Sequence, residues 1–233
     1  MRLFIFLLAL TVRPAFAEDV DLELVLLADA SGSITSDEIA FQRQGYADAL
    51  TDPRVLAVIE GGAYGAIAVT YVEWAATTGV VVDWTRVDGP EAAAQFAAAL
   101  AGPPRQAFGR NAIGGALLDA KRLIEANDHE GFRKVIDFSG DSPNSFSGPS
   151  IAEARQEVIA AGITINGLPI TCRFCDSPGR YPNLAQIYED LIIGGVGAFV
   201  VEAASEDDLA DAIRRKLILE ISGQLPSERL ARN

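Results

Sequence analysis

Leu22-Glu23-Leu24-Val25-Leu26-Leu27-Ala28 runs directly into Asp29-Ala30-Ser31-Gly32-Ser33. The first seven residues form a near-continuous apolar run, the pattern of a parallel strand covered on both faces. The five that follow put a carboxylate and two hydroxyls on alternate positions, with Gly32 free to turn the backbone sharply between them. Hard oxygen donors at this spacing suit Mg²⁺, Mn²⁺ or Ca²⁺. D-x-S-x-S alone arises by chance in roughly one chain in twenty of this length, so its force comes from its place at the end of a buried strand.

Downstream, strands and helices alternate. Strands are expected at Gly65–Trp74, Gly79–Arg86, Lys134–Ser139, Ile163–Leu168 and Gly197–Val201. Helices are expected at Ser36–Leu50, Pro90–Ala101, Ala112–Asn127, Ser150–Ala161, Leu184–Ile192 and Glu206–Ile221. Ser36 reads as the cap of the first helix. The short polar turn between Trp74 and Gly79 makes those two strands a hairpin. The alternation predicts an α/β fold: a three-layer α-β-α sandwich, its doubly wound sheet mostly parallel with one antiparallel edge strand. In such sheets ligands bind beyond the carboxyl ends of the strands.

The chain has 233 residues with 49% hydrophobic residues, enough for one domain with a sizeable core. Its 32 acidic against 19 basic side chains give a net charge of −13, which disfavours nucleic acid and anionic membrane surfaces as partners and favours cations. One histidine and two cysteines are too few for most zinc sites. The start, MRLFIFLLALTVRPAFA, has a basic residue, the apolar run Leu3–Val12 and an A-x-A motif at Ala15–Ala17. Residues 1–17 therefore read as a cleavable signal peptide, residues 18–223 as the domain and 224–233 as a flexible tail. A ten-residue apolar run falls well short of the ~20 residues that a membrane span requires. The expected location is the periplasm or the exterior.

Export frames the reading of Cys172 and Cys175 in TCRFCDSPGRYP. A local disulfide is the default in an oxidising compartment. A thiol-redox pair or a metal pair stays open.

D-A-S-G-S after the first strand resembles the metal-ion-dependent adhesion site of von Willebrand factor A domains, and the resemblance, which runs from about Val20 to Ser222, is closest to an exported bacterial branch of that fold. It implies a three-loop site. Asp29, Ser31 and Ser33 come from the first loop. Asn111, in Gly109-Arg110-Asn111-Ala112-Ile113, stands where the family usually has threonine. Asp141, in Ser139-Gly140-Asp141-Ser142, stands at the end of the fourth strand. An Asn carbonyl can donate to a hard cation, although Asn111 is equally suited to cap the following helix. Asp137 competes with Asp141, but four extended residues separate them by roughly 13 Å, so Asp137 reads as a structural carboxylate held by Ser139 or a neighbouring loop. Glu73 and Trp74 read as a rim of the site or, more simply, a packed hairpin end, and His129 as a solvated turn residue.

The resemblance implies a protein-binding module in which an Asp or Glu of an unidentified protein partner completes the cation's shell. A metal-dependent hydrolase is the alternative. It lacks a histidine or further carboxylate placed to move protons. No G-x-S-x-G, P-loop or dinucleotide motif occurs.

Overall fold

The computed structural model describes residues 17–173, 177–178, 181–203 and 206–224, with the backbone alone at 172–173, 177–178 and 206–207. The expected leader up to Phe16, Cys175 and the tail from Leu225 lie outside the described residues.

The first strand, β1 (Glu18–Asp29), is buried from Val20 to its end. It pairs in parallel with β2 (Ile67–Trp74) and with β4 (His129–Gly140). β3 (Thr78–Val87) runs antiparallel to β2, and β5 (Thr164–Pro169) parallel to β4, giving the order β3-β2-β1-β4-β5. The expected hairpin and antiparallel edge strand are therefore present, and β1 is central. A register shift between Val69 and Tyr71 interrupts the hairpin, and Thr70 Oγ1 bridges it by donating to the Val82 carbonyl at 2.8 Å. A two-stranded ribbon, β6 (Cys172–Arg173) with β7 (Ser177–Pro178), stands apart from the main sheet.

Side chains of β1 alternate between two cores. Leu22, Leu24 and Leu26 pack with α1 (Ser36–Thr51), α2 (Pro53–Glu60), α3 (Pro90–Ala101) and α7 (Glu206–Ser222). Val25 and Leu27 pack with α4 (Ile113–Glu125), α5 (Ile151–Ala160) and α6 (Leu184–Leu191). The result is the expected sandwich, with helices on both faces of the sheet.

Three local expectations are corrected, and one helix appears that was not expected. Helix α1 is capped by Thr35, not Ser36: Thr35 Oγ1 accepts the Glu38 amide, and Glu38 returns to the Thr35 amide. Helix α2 follows α1 at once, started by the Asp52 side chain and Pro53, and buries Val55 and Ile59 one turn apart. Residues 197–201 do not form a regular strand. Gly195 and Gly197 take positive φ (99° and 71°), and the chain beyond meets β5 only through isolated bridges such as Gly167 with Val200. That irregular segment nevertheless covers the outer edge of β5 with main-chain hydrogen bonds, as between the Val201 amide and the Gly167 carbonyl at 3.0 Å. His129 is not a solvated turn residue: it opens β4, its side chain is 12% exposed, and it packs against Trp84.

Candidate metal centre

Asp29 closes β1 with its side chain 1% exposed. Its Oδ1 accepts the Ser31 amide at 2.8 Å, which curls the chain so that Ser31 Oγ and Ser33 Oγ lie 3.1 Å apart. Ser31 is fully buried and Ser33 faces solvent, so the pair of hydroxyls leads from the interior outward. The Gly32 amide donates to the Gly109 carbonyl at 2.8 Å and draws this loop onto the one carrying Asn111. The Asn111 carbonyl in turn accepts the Phe146 amide at 2.8 Å, tying the second loop to the one after Asp141. Three loops far apart in sequence are stitched together by main-chain hydrogen bonds at the carboxyl edge of the sheet.

Asp141 follows β4 directly and lies close enough to Asp29 to act on its titration. Burial is the larger influence on the Asp29 carboxyl and the Asp141 charge the next, and together they push its pKa up from 3.8 to about 7. The Ser31 hydrogen bonds oppose that rise without cancelling it. Oδ2 of Asp29 makes no hydrogen bond of good geometry among the described residues, although the Asp141 main-chain amide is near enough to stabilise the carboxylate a little. A dry carboxylate facing a second one is a poor resting place for negative charge and a good one for a cation.

Asn111 is 6% exposed, and its side chain does not cap α4. The Ile113 amide, in the first turn of α4, donates instead to Ser145 Oγ at 3.1 Å. The buried end of the Asn111 amide, placed as Nδ2, finds no acceptor among the described residues. A half turn about the last side-chain bond would present the carbonyl oxygen there instead. The competing role of Asn111 as a helix cap is thus removed, while a ligating role suits its position. The set comprises two carboxylates, two hydroxyls and one amide, and among the described residues no group of three or more His, Cys, Asp or Glu side chains gathers to hold a metal. Such an oxygen-rich, charge-poor set fits a hard divalent cation such as Mg²⁺, Mn²⁺ or Ca²⁺.

The floor of the site is closely packed. Trp74 stacks on Phe138 with ring centroids 4.9 Å apart, and its indole N–H donates to the Ser139 carbonyl at 3.1 Å. Tyr188 donates to the Gly140 carbonyl at 2.9 Å. Gly140 is wedged among them: a Cβ there would sit 3.0 Å from Asp29 Oδ2, from Trp74 Cζ2 and from the Tyr188 hydroxyl.

Glu73 and Trp74 are packed, not rim residues. Glu73 is 1% exposed and pairs with the Arg43 guanidinium at 2.6 Å. Arg43 also donates to the carbonyls of Leu100, Pro103 and Pro104, and Glu73 accepts the Gln106 amide at 2.6 Å. The pair therefore pins the loop that carries Asn111. Reading the residues in order missed Arg43. The available signal was its place on the buried stripe of α1 with Ile39, Tyr46 and Leu50.

Asp137 is fully buried, as expected of a structural carboxylate, but its ion-pair partner is neither Ser139 nor a loop. Lys216 of α7 reaches it at 2.7 Å and also meets Glu220 at 2.5 Å, with all three side chains inaccessible to solvent. Asn166 donates to Glu220 at 3.0 Å. Burial and the neighbouring Asp137 charge raise the pKa of Glu220 to about 7 despite Lys216. His129 stands at the opposite end of β4 from Asp141 and is no part of the site. The expected pairing of Cys172 with Cys175 lies outside the described residues.

Residues 19–225 match the family model described as "Protein of unknown function (DUF1194)". No curated protein matches the chain. Among solved structures it is similar to a von Willebrand factor type A protein from Catenulispora acidiphila (17% identity, 87% of this chain and 43% of that one, TM-score 0.59). It is similar also to the pilus adhesin SpaC from Lactobacillus rhamnosus GG (14% identity, 88% and 31%, TM-score 0.60). A third is proximal thread matrix protein 1 from the mussel byssus, solved with a zinc-occupied metal-ion-dependent adhesion site (16% identity, 87% and 46%, TM-score 0.59). The chain thus spans less than half the length of each. At these identities the likeness establishes the fold, that of a von Willebrand factor A domain.

Proposed function

The chain belongs to the DUF1194 family, and from that premise we propose that it is an exported, cation-dependent protein-binding module of the adhesion type. Asp29, Ser31, Ser33 and Asp141 would hold one divalent ion, with Asn111 as a fifth donor and Mg²⁺ the best match to the oxygen set. The observation that carries this reading is the buried, poorly satisfied Asp29 carboxylate facing Asp141 where three loops converge. When bound, the cation would supply an electrophilic position open to a carboxylate of a protein partner. The chain's own part is to hold the oxygens in place. Asp29 is oriented by the Ser31 amide, the loops are locked by the bonds through Gly109 and Phe146, and Arg43 with Glu73 anchors the second loop from below.

Export rests on the leader-like residues 1–17, and among the described residues no helix is long and apolar enough to cross a membrane. The structural likenesses to a pilus adhesin and a byssus matrix protein support an adhesive role. The hydrolase and thiol-redox alternatives gain no comparable observation.

Calorimetry with Mg²⁺, Mn²⁺ and Ca²⁺ tests the site. Wild-type protein should bind at least one of them at millimolar concentration or below, and Asp29→Ala should bind none while keeping the wild-type circular dichroism. Failure of the wild type to bind any of the three ends the adhesion-site reading. Partner capture from native periplasm that resists chelation would place the interface elsewhere.

A further inference from the structure

The rim of the site displays two exposed aromatic side chains and a stacked arginine. Phe108 and Phe146 are 60% and 51% exposed, large apolar side chains left in solvent on two of the three loops that build the site. Between them Arg110 is exposed, and its guanidinium carbon lies 3.7 Å from the centroid of the Phe146 ring. Stacking fixes a guanidinium by one face and leaves its edge N–H groups free to donate. Among the described residues Arg110 meets no carboxylate.

The display is held firmly by the backbone. The Phe108 amide donates to Thr77 Oγ1 and its carbonyl accepts the Ala76 amide, both at 3.2 Å. Gly109 makes that approach possible, since its φ is 102° and a Cβ would stand 2.7 Å from the Ala76 Cβ. Phe108 and Arg110 thus emerge from a pinned turn, and the Phe146 main chain is fixed to Asn111.

Charge decides what this rim suits. The net charge of the chain is −13. Yet the segments 30–35, 75–77, 102–112 and 141–150 at this edge contain one carboxylate, Asp141, and two cations, Arg105 and Arg110. Asp37 and Glu38 belong to the first turn of α1, where Glu38 is folded back on the Thr35 amide. With a dication balancing Asp29 and Asp141, these segments are left with the positive charge of Arg105 and Arg110 on an otherwise acidic protein.

Resting on the adhesion-site reading above, we infer that the partner is an acidic protein segment with two carboxylates and an aromatic or aliphatic side chain, one carboxylate completing the cation's shell, the other paired with Arg110, and the apolar group seated against Phe108 and Phe146. Bidentate pairing to a stacked guanidinium gives geometric selectivity that the cation, a point charge, lacks.

The test is selection from a phage-displayed random peptide library on immobilised protein in Mg²⁺, with elution first by EDTA and then by acid. Recovered peptides are synthesised and titrated by fluorescence anisotropy against wild type, Arg110→Gln, Phe146→Ala and Asp29→Ala. Peptides with two acidic residues and an apolar one should dominate, and Arg110→Gln should weaken them by about fivefold or more. Repeating the selection on Arg110→Gln should keep one acidic position and lose the other. A smaller loss, dominance of single-acid peptides, or no recovered peptide overturns the inference. In each of those cases cation binding by calorimetry still decides the site reading separately. Peptides bound equally well by Asp29→Ala, or indifferent to EDTA, would instead sink the cation-dependent reading itself, and this inference with it.

Discussion

Replacing Asp29 by Asn should make the cation-free protein more stable above neutral pH and less responsive to pH. In the folded state the Asp29 carboxyl holds its proton up to about 7, against 3.8 when exposed to water. The folded form therefore binds more protons than the unfolded form between those values. The stability from this group is present at low pH and is lost as pH rises from about 4 to about 7, beyond which its contribution is level. At about 1.4 kcal/mol for each tenfold change in proton affinity the whole loss is ~4 kcal/mol, of which ~3 kcal/mol falls between pH 5 and 8. Asn keeps the oxygen that accepts the Ser31 amide and mimics the protonated acid, so it removes the titration and little else. The measurement is urea unfolding of wild type and Asp29→Asn in EDTA at pH 5 and pH 8. Glu220, whose pKa is also raised, titrates in both proteins and cancels in the difference. That difference, wild type minus variant, should fall by ~3 kcal/mol from pH 5 to pH 8. Added Mg²⁺ should then restore the wild type at pH 8 and leave the variant unchanged. A difference that shifts by less than ~1 kcal/mol would refute the claim that a desolvated Asp29 confronts Asp141.

The remaining expectations concern other parts of the molecule. Gly140→Ala should retain the fold by circular dichroism yet weaken cation binding by about tenfold in calorimetry, because the new methyl presses on Asp29 and the Tyr188 hydroxyl. Asn111→Ala should weaken cation binding without loosening α4, since Ser145 and not Asn111 receives the helix's first amide; hydrogen exchange along α4 distinguishes the two roles. Lys216→Met should cost about 3–5 kcal/mol in urea unfolding, because Asp137 and Glu220 lose the cation they share, and neutralising both acids in the same background should recover most of that loss. Alkylation and intact mass should find Cys172 and Cys175 paired, with two labelled thiols appearing only after reduction, and changing both to Ser should alter stability little, because so short a loop restrains the unfolded chain weakly.

What the sequence disclosed and what it withheld differ in range. The strand from Leu22 and the oxygen triplet of Asp29, Ser31 and Ser33 are local patterns, a buried run ended by polar donors, and local patterns can be read in order. Asp141 was legible for the same reason, since a strand ends one residue before it. The pairing partners were not. Arg43 lies 30 residues from Glu73, and Lys216 lies 79 from Asp137, so only the folded chain brings them together. Each of these cations hides inside an apolar stripe, where periodicity counts it as an interruption. On α7, Lys216 and Glu220 share a face with Leu209, Ala212, Ile213 and Leu217, all buried. A charged residue at a core position of a helix, with an unexplained acid in a central strand, was the readable clue to a buried pair. The strand expected at 197–201 failed for the converse reason. Its β-rich composition was local, but the positive φ of Gly195 and Gly197 breaks the extended run, a backbone choice that composition does not record.

The two buried charge networks differ in what they hold. The Arg43–Glu73 pair fastens the turn that leads to Asn111, whereas Lys216 fastens the last helix to β4 four residues before Asp141. Either could have been an apolar contact at less desolvation cost, since replacing a buried ion pair by well-packed hydrophobic residues is often neutral or stabilising. An ion pair with several carbonyl acceptors fixes position more narrowly than a methyl contact does. Arg43 reaches Glu73 and three main-chain carbonyls at once, and so sets the path of residues 100–106. That distinction can be measured. Arg43→Met with Glu73→Leu should retain much of the stability that Arg43→Met alone loses. Only the native pair should keep full cation affinity, if the pair's role is to place the loop and not merely to hold the core together. Equal cation affinity in the double variant would show that packing alone positions Asn111.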